Sequence, residues 1–354
     1  MVGRFCALAL TSMLCAQMAS AAEPAVPAVP VPAVLSSPPP PPTPPPPLPH
    51  VMGWVPPYAL EAAAFGIHAN PKIGQTLTRI GLQFWNPSAD GTGLVLAPTD
   101  KNGPLVTEAS VIRFRDWARA RNIKVLLTVY NNSQNSEKWD WDWAKRAFAT
   151  NRTLFIAALI AELDKFQLDG IDLDLEGEGD FEADRAAYAL FVKELSALLK
   201  ARGKLLTIDT YHSPCYNAPN MSWWQDWVGQ ADELHSMGYQ DLYEASEETF
   251  IPPNKPVCEG GASLFKYSWQ MQYGLRAGYR ADQILFGQPT WIDKWGKPGR
   301  ETDPVSHIRE VQALGAGIGL WDLQIPTPLW RSDATWDAAR DLRLRPGSGW
   351  KRYK

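Results

Sequence analysis

The chain has 354 residues, of which 45% are hydrophobic and 20% charged, and it carries 16 tryptophans. That composition excludes a disordered chain, a fibrous repeat and a coiled coil. A formal net charge of −4, with no Lys/Arg cluster, excludes a nucleic-acid partner, because neutralising phosphates needs a basic surface.

The chain starts with Arg4, then an apolar stretch, Phe5–Ala16, too short to span a bilayer comfortably. Ala19-Ser20-Ala21 fits a small-x-small cleavage site. Residues 1–21 therefore read as a secretory signal peptide. The expectation is a secreted protein, extracellular or periplasmic, with no stable membrane insertion after cleavage. A lipid-anchored Cys15 fits less well, since Leu14 stands where a lipoprotein signal has a small residue. Residues 22–49 read as a proline-rich disordered linker, with 14 of the 31 prolines between residues 24 and 49. Such a run favours extended polyproline II and could reach roughly 80 Å at about 3.1 Å per residue. Cys215 and Cys258 remain after the signal, and in an oxidising compartment they can pair. Closing that loop would stabilise the fold by roughly 4 kcal/mol. The alternative is two free thiols.

Residues 50–354 contain eight β-rich runs: Val51–Val55, Arg79–Trp85, Lys124–Tyr130, Asp169–Glu176, Leu205–Tyr211, Glu233–Tyr239, Gln283–Gly287 and Gly317–Leu323. Segments of helical period lie between them, among them Glu108–Arg121, Asn151–Lys165, Asp180–Ala201 and Val305–Leu314. In Asp180–Ala201 the residues expected to face a sheet are Tyr188, Leu190, Phe191, Leu195, Leu198 and Leu199. Strands alternating with helices imply a parallel sheet with helical crossovers, and eight repeats imply one closed (β/α)8 TIM barrel over residues 50–354. Its active site belongs at the C-terminal ends of the strands.

The fourth run reads Asp169-Gly-Ile-Asp172-Leu-Asp174-Leu-Glu176. Side chains alternate along a strand, so Asp172, Asp174 and Glu176 share one face and Ile171, Leu173 and Leu175 the other. The apolar face packs on helices and the acidic one points into the barrel. Three neighbouring carboxylates repel one another, so at least one should hold a proton near neutral pH. Glu176 is nearest the mouth, and like-charge neighbours suit it to general acid work. Asp169 is out of phase and reads as structural, and Gly170 leaves room inside. A metal-binding reading of Asp172-Leu-Asp174, as in a glycosyltransferase, needs a nucleotide-binding fold, and no Gly-rich phosphate loop is present.

The run resembles the DGxDxDxE signature of glycoside hydrolase family 18, the chitinase and endo-β-N-acetylglucosaminidase family, on the strand where that family has it. Met237-Gly238-Tyr239 resembles the family's Met-x-Tyr, and Trp321 stands where the family keeps a Trp under the sugar. The resemblance spans roughly residues 50–340. It implies an enzyme that uses the substrate's own N-acetyl group as nucleophile, with neither metal nor cofactor. Glu176 would protonate the leaving oxygen, Asp174 hold the acetamido group, Asp172 share a proton with Asp174, and Tyr239 donate to the acetamido oxygen. Three departures from the pattern bear on substrate choice: Gln240 in place of Asp, Tyr130-Asn131-Asn132 in place of a small-residue turn, and Trp54 in place of Tyr.

Trp54, Trp85, Tyr130, Trp291 and Trp321 fall at expected C-terminal strand ends. They are candidates for stacking on sugar rings, ordinary core packing being the alternative. Trp139, Trp141 and Trp143 form either a surface platform or a helix staple, and Trp223, Trp224 and Trp227 read as packing residues. The expected activity is retaining cleavage of β-1,4 bonds next to N-acetylglucosamine, the partner being an oligo- or polysaccharide that contains it. N-linked glycans or cell-wall glycan are alternative substrates. A non-catalytic chitooligosaccharide-binding lectin is disfavoured by the presence of Glu176.

Overall fold

The structure, a computed structural model, describes residues 47–96, 106–133, 138–214, 217–237, 266–290, 303–326 and 328–343. The proposed signal peptide, nearly all of the linker, and Cys215, Tyr239, Gln240, Cys258 and Trp291 lie outside them.

Eight parallel strands close on themselves. They are β1 (Val51–Val55), β2 (Arg79–Pro87), β3 (Lys124–Tyr130), β4 (Gly170–Asp174), β5 (Leu205–Thr210), β6 (Glu233–Ser236), β7 (Ile284–Pro289) and β8 (Gly317–Trp321). Each pairs with the next, and β1 pairs with both β2 and β8, so the sheet has no free edge between first and last strand. Helices Glu108–Arg119, Arg152–Lys165, Arg185–Lys200 and Pro304–Leu314 are among those between the strands. The expected (β/α)8 barrel is what the chain forms. Among the described residues no helix is long and apolar enough to cross a membrane.

Alternation along the strands separates two environments. Ile171 and Leu173 of β4, Leu206 and Ile208 of β5, Leu234 of β6, Phe286 of β7 and Ile318 and Leu320 of β8 join the main apolar cluster between sheet and helices. Full burial of each such side chain contributes about 1.5–3 kcal/mol. The opposite parity carries Asp172, Asp174, Thr207, Asp209, Glu233 and His235, all buried. A smaller apolar group, Met52, Trp54, Leu126 and Leu285, fills the rest of the interior, with Trp321 against it.

The barrel interior admits the Trp54 indole because two neighbouring strands carry glycine. A Cβ on Gly81 would lie 2.6 Å from Trp54 Cδ1, and one on Gly319 would lie 2.7 Å from Trp54 Cη2. Gly170 leaves room as expected, since a Cβ there would meet the Leu205 carbonyl oxygen at 2.6 Å.

Helix Arg185–Lys200 corrects part of its expected face. Tyr188, Phe191, Leu195 and Leu199 are buried, but Leu190 and Leu198 are each 41% exposed. Those two flank the apolar stripe, while Val192 and Ser196 lie within it. The Trp139–Trp143 run is a staple and not a platform. Asp140 caps the helix Trp141–Lys145 by accepting from the Trp143 N–H, Trp141 is buried, and the Trp143 indole N–H donates to the Ser88 carbonyl. Trp223, Trp224 and Trp227 are buried in the 3-10 segment Met221–Trp227, as their packing role required.

Candidate active site

The acidic row stands at the C-terminal end of β4, facing inward. Asp172 is deepest and its carboxylate is fully engaged. Its Oδ2 accepts from Trp54 Nε1 at 2.8 Å and Thr128 Oγ1 at 2.9 Å. Its Oδ1 accepts from the Thr207 hydroxyl and faces His235 Nδ1 at 3.4 Å. Burial alone would raise this carboxyl, but the hydrogen bonds and charge of His235, with Thr207 and Trp54, hold it below the usual range.

Asp174 has a different environment. Gln83 donates to its Oδ2 at 2.6 Å, and its other close partner is Glu176. Burial, reinforced by the charge of Asp172, pushes Asp174 up to about 7. Glu176 is buried and raised well above the usual range, first by burial and then by the charge of Asp174; a hydrogen bond from the Tyr211 hydroxyl opposes the shift. Burial and mutual charge thus both favour a proton on the Asp174–Glu176 pair, the direction expected from three crowded carboxylates.

The backbone under Glu176 is clamped. Asn131 Oδ1 accepts from the Glu176 N–H at 2.7 Å, and Asn131 Nδ2 donates to the Glu176 carbonyl at 2.7 Å and to the Asp140 carbonyl at 2.9 Å. One amide therefore fixes where the chain leaves β4. Just beyond, Gly177–Glu178 pairs antiparallel with Asn217–Ala218, joining the loops after β4 and β5. Asp169, below the strand, accepts from the Val125 N–H and from Lys124 Nζ, each at 2.9 Å, the structural role expected of it.

The aromatic candidates divide. Trp321 is half-buried at the end of β8, its ring 6.1 Å from that of Trp54. The Trp321–Asp322 peptide is cis. Trp54 is 5% exposed and serves Asp172, so it is an internal support with little face left for a sugar. Tyr130 is buried, its ring edge-on to Trp139. Trp85 does not reach the mouth at all. The pairing of β2 with β3 shifts register between Leu82 and Trp85, and this irregularity turns Trp85 outward. It is fully buried there, its Nε1 donating to Glu162 on helix Arg152–Lys165. Met237 extends the pairing of β6 with β5, its N–H donating to the Thr210 carbonyl.

The sequence reading missed Gln83, Asn131, Tyr211, Asp209 and His235. Asp209 Oδ1 accepts from His235 Nδ1 at 2.9 Å. Ligand atoms of Asp172, Asp209 and His235 lie within 4.8 Å of one another, a grouping of the kind that can hold a cation. Here those atoms are engaged with one another, and Asp172 also with Trp54, Thr128 and Thr207, so they form a hydrogen-bonded cluster.

Residues 68–339 match the family described as glycosyl hydrolases family 18. Among curated proteins none matches the sequence. Solved structures of similar fold include a chitinase from Chromobacterium violaceum ATCC 12472, 18% identical, covering 84% of this chain and 99% of its own, with a TM-score of 0.60. The spore cortex-lytic enzyme SleL of Bacillus megaterium QM B1551 is 14% identical over 85% of this chain and 75% of its own, with a TM-score of 0.59. A Cycas revoluta chitinase solved with (GlcNAc)3 is 14% identical over 83% and 99%, with a TM-score of 0.57. At these identities the likeness establishes the fold, and the family match covers most of the chain. With the acidic row in place on the fourth strand of a closed barrel, the chain belongs to glycosyl hydrolases family 18.

Proposed function

We propose that the protein is a secreted, retaining, chitinase-like hydrolase that cuts β-1,4 bonds next to N-acetylglucosamine with help from the substrate's own acetamido group. The observation that carries this reading is the pairing of Glu176 with Asp174. Glu176 is buried at the strand end and hydrogen-bonded to Asp174, and that burial with the charge of Asp174 raises it well above the usual carboxylate range.

The chemistry follows from that pair. Glu176 gives its proton to the glycosidic oxygen as the C1–O bond breaks. The acetamido carbonyl oxygen attacks C1 from the opposite face, and a cyclic oxazolinium ion forms. Asp174 accepts the acetamido N–H and balances the developing positive charge, its position set by Gln83. Glu176, now a carboxylate, takes a proton from water as that water attacks C1 and reopens the ring. Two inversions give retention. Asp172 sits below and acts on Asp174 through charge, and Trp321 offers a partly buried ring beneath the sugar. Tyr239 is assigned as donor to the acetamido oxygen and Gln240 as a sugar contact, both from the motif they occupy. Export rests on the signal-like residues 1–21.

Two experiments test the reading. Glu176→Gln should lower hydrolysis by at least about 10³-fold while leaving chitooligosaccharide binding within a few-fold, since the amide keeps the shape and loses the acid. Turnover near that of the wild type would sink the assignment. Mass spectrometry of digests of N-acetylglucosamine tetramer and pentamer, an N-glycopeptide and cell-wall glycan identifies the substrate. Shortened chitooligosaccharides are expected; cleavage confined to either of the other two would move the protein to that branch.

A further inference from the structure

The family chemistry described above uses Asp172, Asp174, Glu176 and Tyr239. It leaves unexplained why a histidine and a fourth acid are buried beside Asp172. His235 is fully enclosed, with side-chain exposure of 3%. Its Nδ1 lies 2.9 Å from Asp209 Oδ1 and 3.4 Å from Asp172 Oδ1, and its Nε2 lies 3.8 Å from Glu233 Oε2. Its ring stands edge-on to Trp54, with centroids 5.1 Å apart, and Trp54 in turn donates to Asp172. The charged and titratable groups around it are Asp172 and Asp174 on β4, Asp209 on β5, Glu233 on β6, Arg79 on β2 and His50 before β1. Arg79 pairs with Glu233, so that acid has its own cation.

We propose that His235 is a positioning residue: as a buried imidazolium oriented by Asp209 it keeps Asp172 a carboxylate, so that the mobile proton of the acidic row is confined to Asp174 and Glu176. The proposal rests on the hydrolase reading above and departs from the proton shared between Asp172 and Asp174 that the family resemblance implies. Geometry supports it from two sides. Asp172 accepts hydrogen bonds from Trp54, Thr128 and Thr207 and has His235 Nδ1 3.4 Å from its Oδ1, an arrangement that suits a carboxylate and not a carboxylic acid. Asp209, by contrast, faces the same cation with one hydrogen bond among the described residues. One imidazolium can compensate one carboxylate. The one with more hydrogen-bond donors, Asp172, takes the charge, and the other carries a proton. The directions agree: burial and the charge of Asp172 raise Asp209 well above the usual range, while Asp172 is lowered and His235 is raised to about 9.

The role has a readout that packing would not produce. Removing the cation raises the carboxyls near it, because a like charge is then no longer offset; a neighbouring unit charge moves a carboxyl by about 1–3 pH units at close range, and by less at the distance of Asp174. In His235→Gln both limbs of the pH profile of kcat/KM should move to higher pH, by about one unit. Asp209→Asn keeps the acceptor that orients the ring and mimics the neutral acid, so its limbs should stay within about 0.3 units of the wild type. Limbs of His235→Gln that coincide with the wild type, or an equal displacement in Asp209→Asn, overturn the proposal. Because the Gln variant can fail to fold, and because the substrate is itself proposed, the charge is also read directly. Nitrogen-15 spectra of the unmodified protein labelled at histidine, assigned against the Asp209→Asn variant, should show one ring with both nitrogens protonated at pH 7.5. A neutral His235 there overturns the proposal whatever the protein hydrolyses. A charged His235 in a protein inactive on every N-acetylglucosamine substrate would instead count against the hydrolase reading.

Discussion

Asn131→Ala should separate the placing of Glu176 from the binding of substrate. The side chain is fully buried, and it makes three hydrogen bonds to backbone, two of them to Glu176. Alanine leaves the Glu176 N–H and two carbonyls without those partners. At about 1 kcal/mol net for each bond, the loss of stability is about 3 kcal/mol. For a domain of this size that corresponds to a fall in Tm of roughly 6–9 °C. The catalytic effect is separable. Asn131 lies under the chain at the strand end and the bonds it makes are to backbone, so KM should change little. Glu176, however, is no longer held against Asp174 and Tyr211, and a displacement of about 1 Å in such a group can cost about 10²-fold in rate. The assay is steady-state kinetics on a chitooligosaccharide, run well below the lower Tm, beside a thermal melt. A melt that falls as expected with kcat within twofold of the wild type would refute the argument, since the clamp would then serve folding alone.

Further outcomes follow from other contacts. Trp85→Phe removes the hydrogen bond to Glu162 and should cost about 1 kcal/mol in a denaturant titration, with KM unchanged. Trp321→Ala should do the opposite, raising KM several-fold through loss of about 0.5–1.5 kcal/mol of ring contact; equal effects of the two would contradict the placement of Trp85 outside the barrel. Asp169→Ala loses its bonds to the Val125 N–H and Lys124 and should destabilise by about 1–2 kcal/mol while kcat stays put, measured in parallel melts and rates.

Much of the barrel is legible because alternation on each strand has only two answers, apolar outward and mixed inward. Val51–Val55 and Lys124–Tyr130 were readable to the residue, and the acidic face of β4 could point only inward. The failures share a cause. Trp85 sits at an inward position by counting from Gly81, but a register shift between Leu82 and Trp85 reverses its side, and nothing local marks a β-bulge there. Gln83, Asn131, Asp209, Tyr211 and His235 come from four different strands or strand ends and meet only because the sheet closes. Each alone is an ordinary polar residue in a strand. Their parity could have flagged Asp209 and His235, since a charged residue at an inward position of a closed barrel needs a buried partner.

The same closure sets the acidity of the site. From Arg79 through Glu233, His235, Asp209, Asp172 and Asp174 to Glu176, the contacts join five carboxyls to two cations. Two carboxylates are compensated, Glu233 by Arg79 and Asp172 by His235. Three are not, and the three raised carboxyls are Asp174, Glu176 and Asp209. A proton kept in the fold at a pH where the unfolded chain has released it makes stability fall as pH rises. His235, raised from 6.5 to about 9, acts in the same sense: its contribution is complete below about pH 6.5 and is lost as pH climbs through about 9. Wild-type Tm should therefore decline between pH 6.5 and 9. Glu176→Gln removes one of these acids without changing its shape, so the variant should melt above the wild type at pH 9 by several degrees and near it at pH 5. An equal offset at both pH values would mean that Glu176 ionises in the fold as it does in water, and the proton assigned to the general acid would have no structural basis.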